Sequence, residues 1–496
     1  MRRLGDFVHD FVVEHLPAQS LSDQSGDGVA PSALLAGNNQ AGSKAQVALL
    51  APPGSLLALL LQRRGIPVTL YESRPDPRGS PGESGRSINL ALADRGIHAL
   101  KVAGVYDAVA GALVAMRGRL IHQQDGTRSL QLYGQRPSEV IYSISRHRLN
   151  QALLEAAAGQ HALDVRFEHR LEGADFGSGT AYIRDIRRGE MLSVPMHPLL
   201  ATDGAGSLTR HRMAASRLIE AEEADLEHGY KELSIPAGPQ GDYRMAHNAL
   251  HIWPRGNFML IALPNADGSF TATLFLPKRG AVSFEALTSP AAIEGFLRGQ
   301  FSDAYELMPN CVAEFQAHPT GFLATVYADR WNARGMASLI GDAAHAILPF
   351  HGQGMNCCFE DCLEFDACLE RETTWESVFE HFYASRKPNT DAIAAMALEN
   401  YLEMRERVVD PKFRLQQTLA LELERRHPRR FIPRYSMVMF HHEIPYRTAL
   451  DRGKIQSRLL ADLTAAADTL QDVDYDRAER EINRELSPIS LDHDPA

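Results

Sequence analysis

The chain has 496 residues, 44% hydrophobic and 23% charged, ordinary values for a globular protein long enough to bury two or three cores. Its formal net charge of −11 leaves no basic footprint for nucleic acid or an anionic membrane surface. Five cysteines, an odd number without framework spacing, exclude a disulfide scaffold and fit a reducing, cytoplasmic setting.

Residues 1–44 differ in composition from the rest of the chain. Phe7, Val8, Phe11, Val12 and Leu16 have the spacing of a short amphipathic helix, and the acidic residues among them argue against a secretory signal. Residues 17–44, rich in Ser, Gly, Ala, Asn and Gln, read as a flexible extension. Regular patterning begins at Ala45, with a strand expected over 46–50, a helix over 54–64 and a strand over 67–73. Such a βαβ unit has the size used to bind dinucleotides. The glycines that normally shape its first turn are largely absent: Leu49, Ala51, Pro52 and Pro53 fill the turn, and Gly54 alone remains. Two prolines also remove two backbone donors. The apolar run 49–61 contains Pro52, Pro53 and Gly54 and is too short to span a bilayer.

Between about 215 and 320 the pattern alternates as strands do. Met259, Ile261 and Leu263 fall on one face, and Phe258, Leu260 and Ala262 on the other. Thr273 and Phe275 share a face of the next strand, and 264–269 reads as a hairpin connection. The run 341–361 reads as a strand end, a glycine-containing turn and a helix, with Asp342 at the ligand-facing edge of an open sheet. Gly352 and Gly354 allow close backbone approach, and the amides that open the helix favour an electron-rich group. Cys357, Cys358 and Cys362 lack the spacing of a zinc site, so no metal is expected. After residue 385 the pattern becomes helical, and residues 476–496 read as a disordered tail.

The run 341–361, together with GRSINLAL at 85–92, MRGRL at 116–120 and IYSISRHRLN at 141–150, resembles the aromatic-ring flavoprotein hydroxylases. HGYKELSIP at 228–236, the long run 248–277, NYLEMR at 400–405 and FIPRYSMV at 431–438 make the resemblance strongest to the kynurenine-hydroxylating branch. It extends from about residue 45 to about residue 450. The fold implied is α/β (α+β), with a Rossmann-like FAD-binding domain made of 45–115, 136–215 and 320–385. An antiparallel-sheet substrate domain would take 116–135 and 216–319, and a C-terminal helical region 386–475.

By the same resemblance, FAD would contact Gly54, Glu72, Arg74, Ala91, Arg146, Leu171, Asp203, Asp342, Gly354, Met355 and Asn356. Leu208 departs from the small hydroxylic residue common in the family. Arg119 would hold a substrate carboxylate, since guanidinium matches carboxylate with two bonds. Tyr133, Asn400 and Tyr435 would add hydrogen bonds, and Leu250, Met259, Ile261, Leu263, Thr273 and Phe275 an apolar wall. Pro349, Phe350 and His351 would lie beside the flavin ring.

The implied reaction needs no catalytic side chain and no metal, because the cofactor carries the hard chemistry. NADPH reduces FAD, dioxygen is captured as a flavin hydroperoxide, and one oxygen passes to the ring of L-kynurenine. The expected partners are L-kynurenine, NADPH and dioxygen, with no nucleic acid and no membrane, in a cytoplasmic monomer or homodimer. The altered first turn leaves two alternatives: a non-catalytic or flavin-deficient relative, and a flavin hydroxylase of another aromatic compound.

Overall fold

The computed structural model describes residues 45–48, 52–78, 89–158, 163–404 and 410–491. The expectations for residues 1–44, and for Leu49 and Ala51, lie outside the described residues. No described helix is long and apolar enough to cross a membrane.

The dinucleotide unit is a six-stranded sheet in the order Asn332–Ala333, Ala337–Leu339, Leu199–Ala201, Ala45–Ala48, Val68–Glu72, Leu163–Phe167. All neighbours run parallel except the first pair. Parallel sheets are covered on both faces, which is why Leu56, Leu57 and Leu61 of the helix Pro52–Arg63 are fully buried. The strand Ala45–Ala48 lies between Val68–Glu72 and Leu199–Ala201, so the chain order reverses there. Such a switch point opens a ligand crevice at the carboxyl ends of the strands. The helix Gly354–Arg371 packs beside Pro52–Arg63, and Cys362 Sγ donates to the Pro53 carbonyl at 3.4 Å.

The second sheet has seven strands in the order Gly321–Ala328, Ala221–Ile235, Phe270–Pro277, Met259–Pro264, Leu250–Pro254, Gly118–His122, Arg128–Leu132. Its neighbours are antiparallel, save that Leu250–Pro254 runs parallel to Gly118–His122. The register sets Met259 opposite Phe275 and Ile261 opposite Thr273, so these side chains share one face. Leu260, Ala262 and Leu274 turn the other way, into a core shared with Ile293 and Leu297 of the helix Pro290–Gln300. The alternation expected over 258–263 is the alternation found.

Two expectations are corrected. The strand Gly321–Ala328, assigned from sequence to the dinucleotide unit, is instead the edge of the seven-stranded sheet, hydrogen-bonded to Ala221–Ile235. The helix Tyr475–Glu485 takes in residues 476–485, expected to open a disordered tail. Asp474 caps it by accepting from the Arg477 amide at 2.9 Å, and Ala478, Ile482 and Leu486 form a buried stripe at four-residue spacing. The charged residues around that stripe conceal it. Residues 492–496 lie outside the described residues.

Candidate active site

The seven-stranded sheet, the turn Pro349–His351 and the C-terminal helices enclose a cavity. Strand alternation aims Arg119 at it from Gly118–His122. Gly118 permits this close pairing, because a Cβ there would meet the Gln131 carbonyl oxygen at 2.3 Å. The Arg119 guanidinium lies 5.0 Å from the Tyr435 ring centre and 5.8 Å from that of Tyr133. Its contacts with Asn400 Oδ1 and Glu403 Oε1 are both 3.5 Å, long for a charge that is 8% exposed. Tyr133 and Tyr435 stack with centroids 5.4 Å apart, and His351 stacks on Tyr435 at 5.6 Å.

Three polar groups beside this cavity are buried without a well-formed hydrogen bond among the described residues: Arg119 Nε, His351 Nδ1 and the Tyr133 hydroxyl, which has only loose contacts with Arg119 and Tyr435. An unsatisfied buried polar group costs about 1–3 kcal/mol, so three beside one cavity give it a polar end suited to a polar group. Burial pushes His351 down to about 3, with nearby Arg434 and Arg119 acting in the same direction, so its ring is neutral near pH 7. Burial raises the Tyr133 and Tyr435 hydroxyls, which therefore stay protonated.

The apolar side comprises Leu250, Ile261, Leu263, Thr273 and Phe275. Met259 and Asn400 stand one layer behind. Met259 is fully buried in the cluster of Phe275 and Phe350. Asn400 donates to the Phe350 carbonyl at 2.6 Å and so fixes the turn that carries His351. Glu403, three residues after Asn400, was missed from sequence. Its signal was helical spacing alone, which brings both residues to one guanidinium.

The residues assigned to the cofactor lie mostly along the carboxyl edge of the six-stranded sheet and at the start of Gly354–Arg371. Gly54 is buried in the first turn of its helix, behind Pro52 and Pro53. Glu72 ends its strand buried, and its carboxylate accepts from the Arg74 amide at 2.8 Å, Arg74 Nε at 3.1 Å and Ser73 Oγ at 3.1 Å. Asp342 is exposed after Gly341, whose φ is 65°, and accepts from Cys358 Sγ at 3.6 Å. Gly352 has a φ of 67°, and a Cβ there would lie 3.0 Å from the Ala91 Cβ, so backbone and Ala91 form one close-packed cradle. Gly354 and Met355 are half-buried at the helix start.

Other assigned residues are spent on the protein itself or stand at its surface. Asn356 donates to the carbonyls of Ala91 and Gly352, both at 2.8 Å, and accepts from the Ala93 amide at 2.9 Å. Both ends of its amide are thus used in stapling the cradle together. Asp203 accepts from Ser207 Oγ, from the Thr209 amide and from Thr209 Oγ1, fixing the start of Leu208–Ala215. Leu171 is in the core of the dinucleotide unit, and Arg146 is exposed at the first position of Arg146–Ala158.

A further node was invisible in the sequence. Arg95, fully buried in Asp94–Val102, donates to the carbonyls of Met437, Val438, His441, His442 and Ile444 and pairs with Glu360. It binds the dinucleotide unit to the segment that carries Tyr435 and Met439, two residues of the cavity wall.

The FAD binding domain family matches residues 51–388, and the chain belongs to that class of flavoproteins. Its fold is shared with 2-methyl-3-hydroxypyridine-5-carboxylic acid oxygenase, with a TM-score of 0.59 at 19% identity over 77% of this chain and 98% of that one. It is shared also with p-nitrophenol 4-monooxygenase from Pseudomonas putida DLL-E4, with a TM-score of 0.60 at 17% identity, covering 77% and 93%. Over 440 residues the chain is 48% identical to kynurenine 3-monooxygenase of Stenotrophomonas maltophilia (strain K279a), covering 89% of this chain and 96% of the relative. The corresponding protein of Myxococcus xanthus (strain DK1622) is 44% identical, covering 89% and 95%. Within the class, the chain belongs to the kynurenine 3-monooxygenase family.

Proposed function

We propose that the chain is an FAD-dependent monooxygenase that uses NADPH and dioxygen to convert L-kynurenine to 3-hydroxy-L-kynurenine. The observation that carries this reading is the division of one cavity into a buried, under-satisfied Arg119 at one end and an apolar strand face beside it. An aromatic amino acid has the same division.

Arg119 binds the carboxylate in this reading, and the Tyr133 and Tyr435 hydroxyls add hydrogen bonds to the polar end. Asn400 holds the Phe350 turn in place, and Met259 backs Phe275. Ile261, Leu263, Thr273 and Phe275 keep water from the ring. Neutral His351 adds no charge beside the ring, and its free Nδ1 can hold one proton or accept one.

The open carboxyl edge, the exposed Asp342 and the Gly352–Ala91 cradle fit FAD. Gly54, Glu72, Arg74, Asp342, Gly354 and Met355 would hold it, with the backbones of Ala91 and Asn356. Asp203 and Leu171 would act by shaping the edge, and Arg146 from the rim. FAD, when bound, supplies the redox chemistry, taking electrons from NADPH and passing one oxygen atom of dioxygen to the ring. The same reading has the protein cytoplasmic, as a monomer or homodimer.

The test is FAD reconstitution followed by NADPH oxidation with and without L-kynurenine, with the product identified by mass spectrometry. Flavin retention with kynurenine-dependent formation of the hydroxylated amino acid is expected. Retained flavin with kynurenine bound but never hydroxylated overturns the reading.

A further inference from the structure

A cluster of side chains unused by this reaction lies beside the Arg95 node. Asp94 and His98 are one turn apart on Asp94–Val102. His442 and Glu443 lie in the connection between the helices Arg434–Met439 and Tyr446–Thr464. His442 Nδ1 is 2.7 Å from Asp94 Oδ2 and 3.6 Å from Glu443 Oε2. One donor atom from each of Asp94, His442 and Glu443 lies within 4.8 Å of the other two, the spacing of ligands around one ion. The His98 ring stacks on that of His442 with centroids 3.9 Å apart, which brings a second imidazole to the rim of the group.

A comparison inside the molecule sharpens the point. His345, Cys357 and Asp361 also converge, but Arg386 Nε sits 2.7 Å from Asp361 Oδ1 and Arg386 Nη2 sits 3.3 Å from Cys357 Sγ. A guanidinium already supplies the positive charge there. At Asp94 and Glu443 no Arg or Lys forms an ion pair with either carboxylate among the described residues. Arg95, next in sequence, is turned inward onto backbone carbonyls and Glu360. Two carboxylates therefore face imidazole rings in a half-buried seam with no permanent cation between them among the described residues.

We propose that Asp94, His442 and Glu443 form a site for a divalent transition-metal ion of the zinc type, with the stacked His98 ring holding His442 in place. Mixed imidazole and carboxylate donors suit zinc, nickel and copper better than calcium or magnesium. In the metal-free protein the Nδ1 hydrogen of His442 is shared with Asp94, and an ion would take its place and release that proton. The ion would join the helix Asp94–Val102 to the segment that follows Tyr435 and Met439, adding a tie on the seam that Arg95 already spans.

Calorimetric titration of the full-length, FAD-loaded protein with zinc chloride alone tests this. One ion per chain is expected, with affinity lowered by about tenfold or more in His442→Gln and again in Glu443→Gln. The second variant guards against misfolding, since among the described residues the Glu443 carboxylate contacts the rings of His441 and His442 alone. Zinc should also raise the melting temperature of the wild type and not that of the double variant. Zinc binding of unchanged affinity and stoichiometry in both variants, or no zinc binding by the wild type, overturns the proposal.

Discussion

Replacing Arg119 by leucine separates a ligand-binding role from a packing role. The guanidinium is 8% exposed, its two ion-pair and amide contacts are 3.5 Å long, and its Nε has no partner among the described residues. Glu403 and the flanking Tyr435 and Tyr133 favour its positive charge, but no close carboxylate fork faces it until a ligand carboxylate arrives. Truncating one member of a buried, charge-assisted pair costs about 2–4 kcal/mol of binding, which is roughly a 30- to 800-fold rise in the kynurenine KM. The same substitution removes an under-satisfied buried charge from the free protein. Glu403 is left behind, but its side chain is 21% exposed and can be hydrated. Thermal stability should therefore hold or rise while substrate binding collapses. The assay is steady-state, kynurenine-dependent NADPH oxidation on flavin-loaded protein, with a melting curve alongside. Arg119→Lys keeps the charge without the planar fork and should fall between the two. A KM within about twofold of wild type, or a drop in melting temperature matching the loss of activity, would refute the reasoning by making Arg119 a structural residue.

Pro52 and Pro53 cannot donate backbone hydrogens at the start of their helix. The double change to glycine should tighten FAD by about 1–2 kcal/mol, read as an approximately five- to thirtyfold lower Kd in flavin-fluorescence titration; an unchanged Kd would show that these amides do not face the cofactor. His251 is held down to about 4 and His351 to about 3, in both cases first by burial, from an ordinary 6.5. Above pH 6.5 both are neutral folded or unfolded and contribute no pH dependence; below it only the unfolded chain gains the protons, so folding weakens down to about pH 4. Urea unfolding at pH 5 should show about 2 kcal/mol less stability per histidine than at pH 7, and His251→Asn should remove part of that loss. Ile482→Ala, in a helix whose sequence reads as tail, should cost about 2–4 kcal/mol in chemical denaturation, whereas a disordered segment would register nothing.

Much of this architecture was legible because local patterning and global placement agree. The βαβ unit near the start of the described chain and the face shared by Met259, Ile261 and Leu263 both follow from side-chain period alone. The cavity residues Arg119, Tyr133, His351 and Tyr435 were legible by resemblance, and the fold does bring them together. What escaped depended on partners far away in sequence. The strand Gly321–Ala328 looks like any short strand, and only its pairing with Ala221–Ile235 assigns it to a sheet. The last helix hides a narrow apolar stripe among charges. Asn356 stands beside a ligand-facing turn yet spends its whole amide on the backbone, a choice that residue type does not reveal.

Arg95 contacts the segment 437–444 chiefly through carbonyl oxygens, which every residue type possesses. It therefore constrains where the chain runs and leaves its side chains unspecified. Position 439 can change its chemistry without disturbing the anchorage, as can position 435 just upstream. Selectivity for the ring can thus drift by substitution at these sites while the path of the wall is inherited intact. A lysine at position 95, with one compact ammonium in place of the fork, would give up that separation between frame and filling.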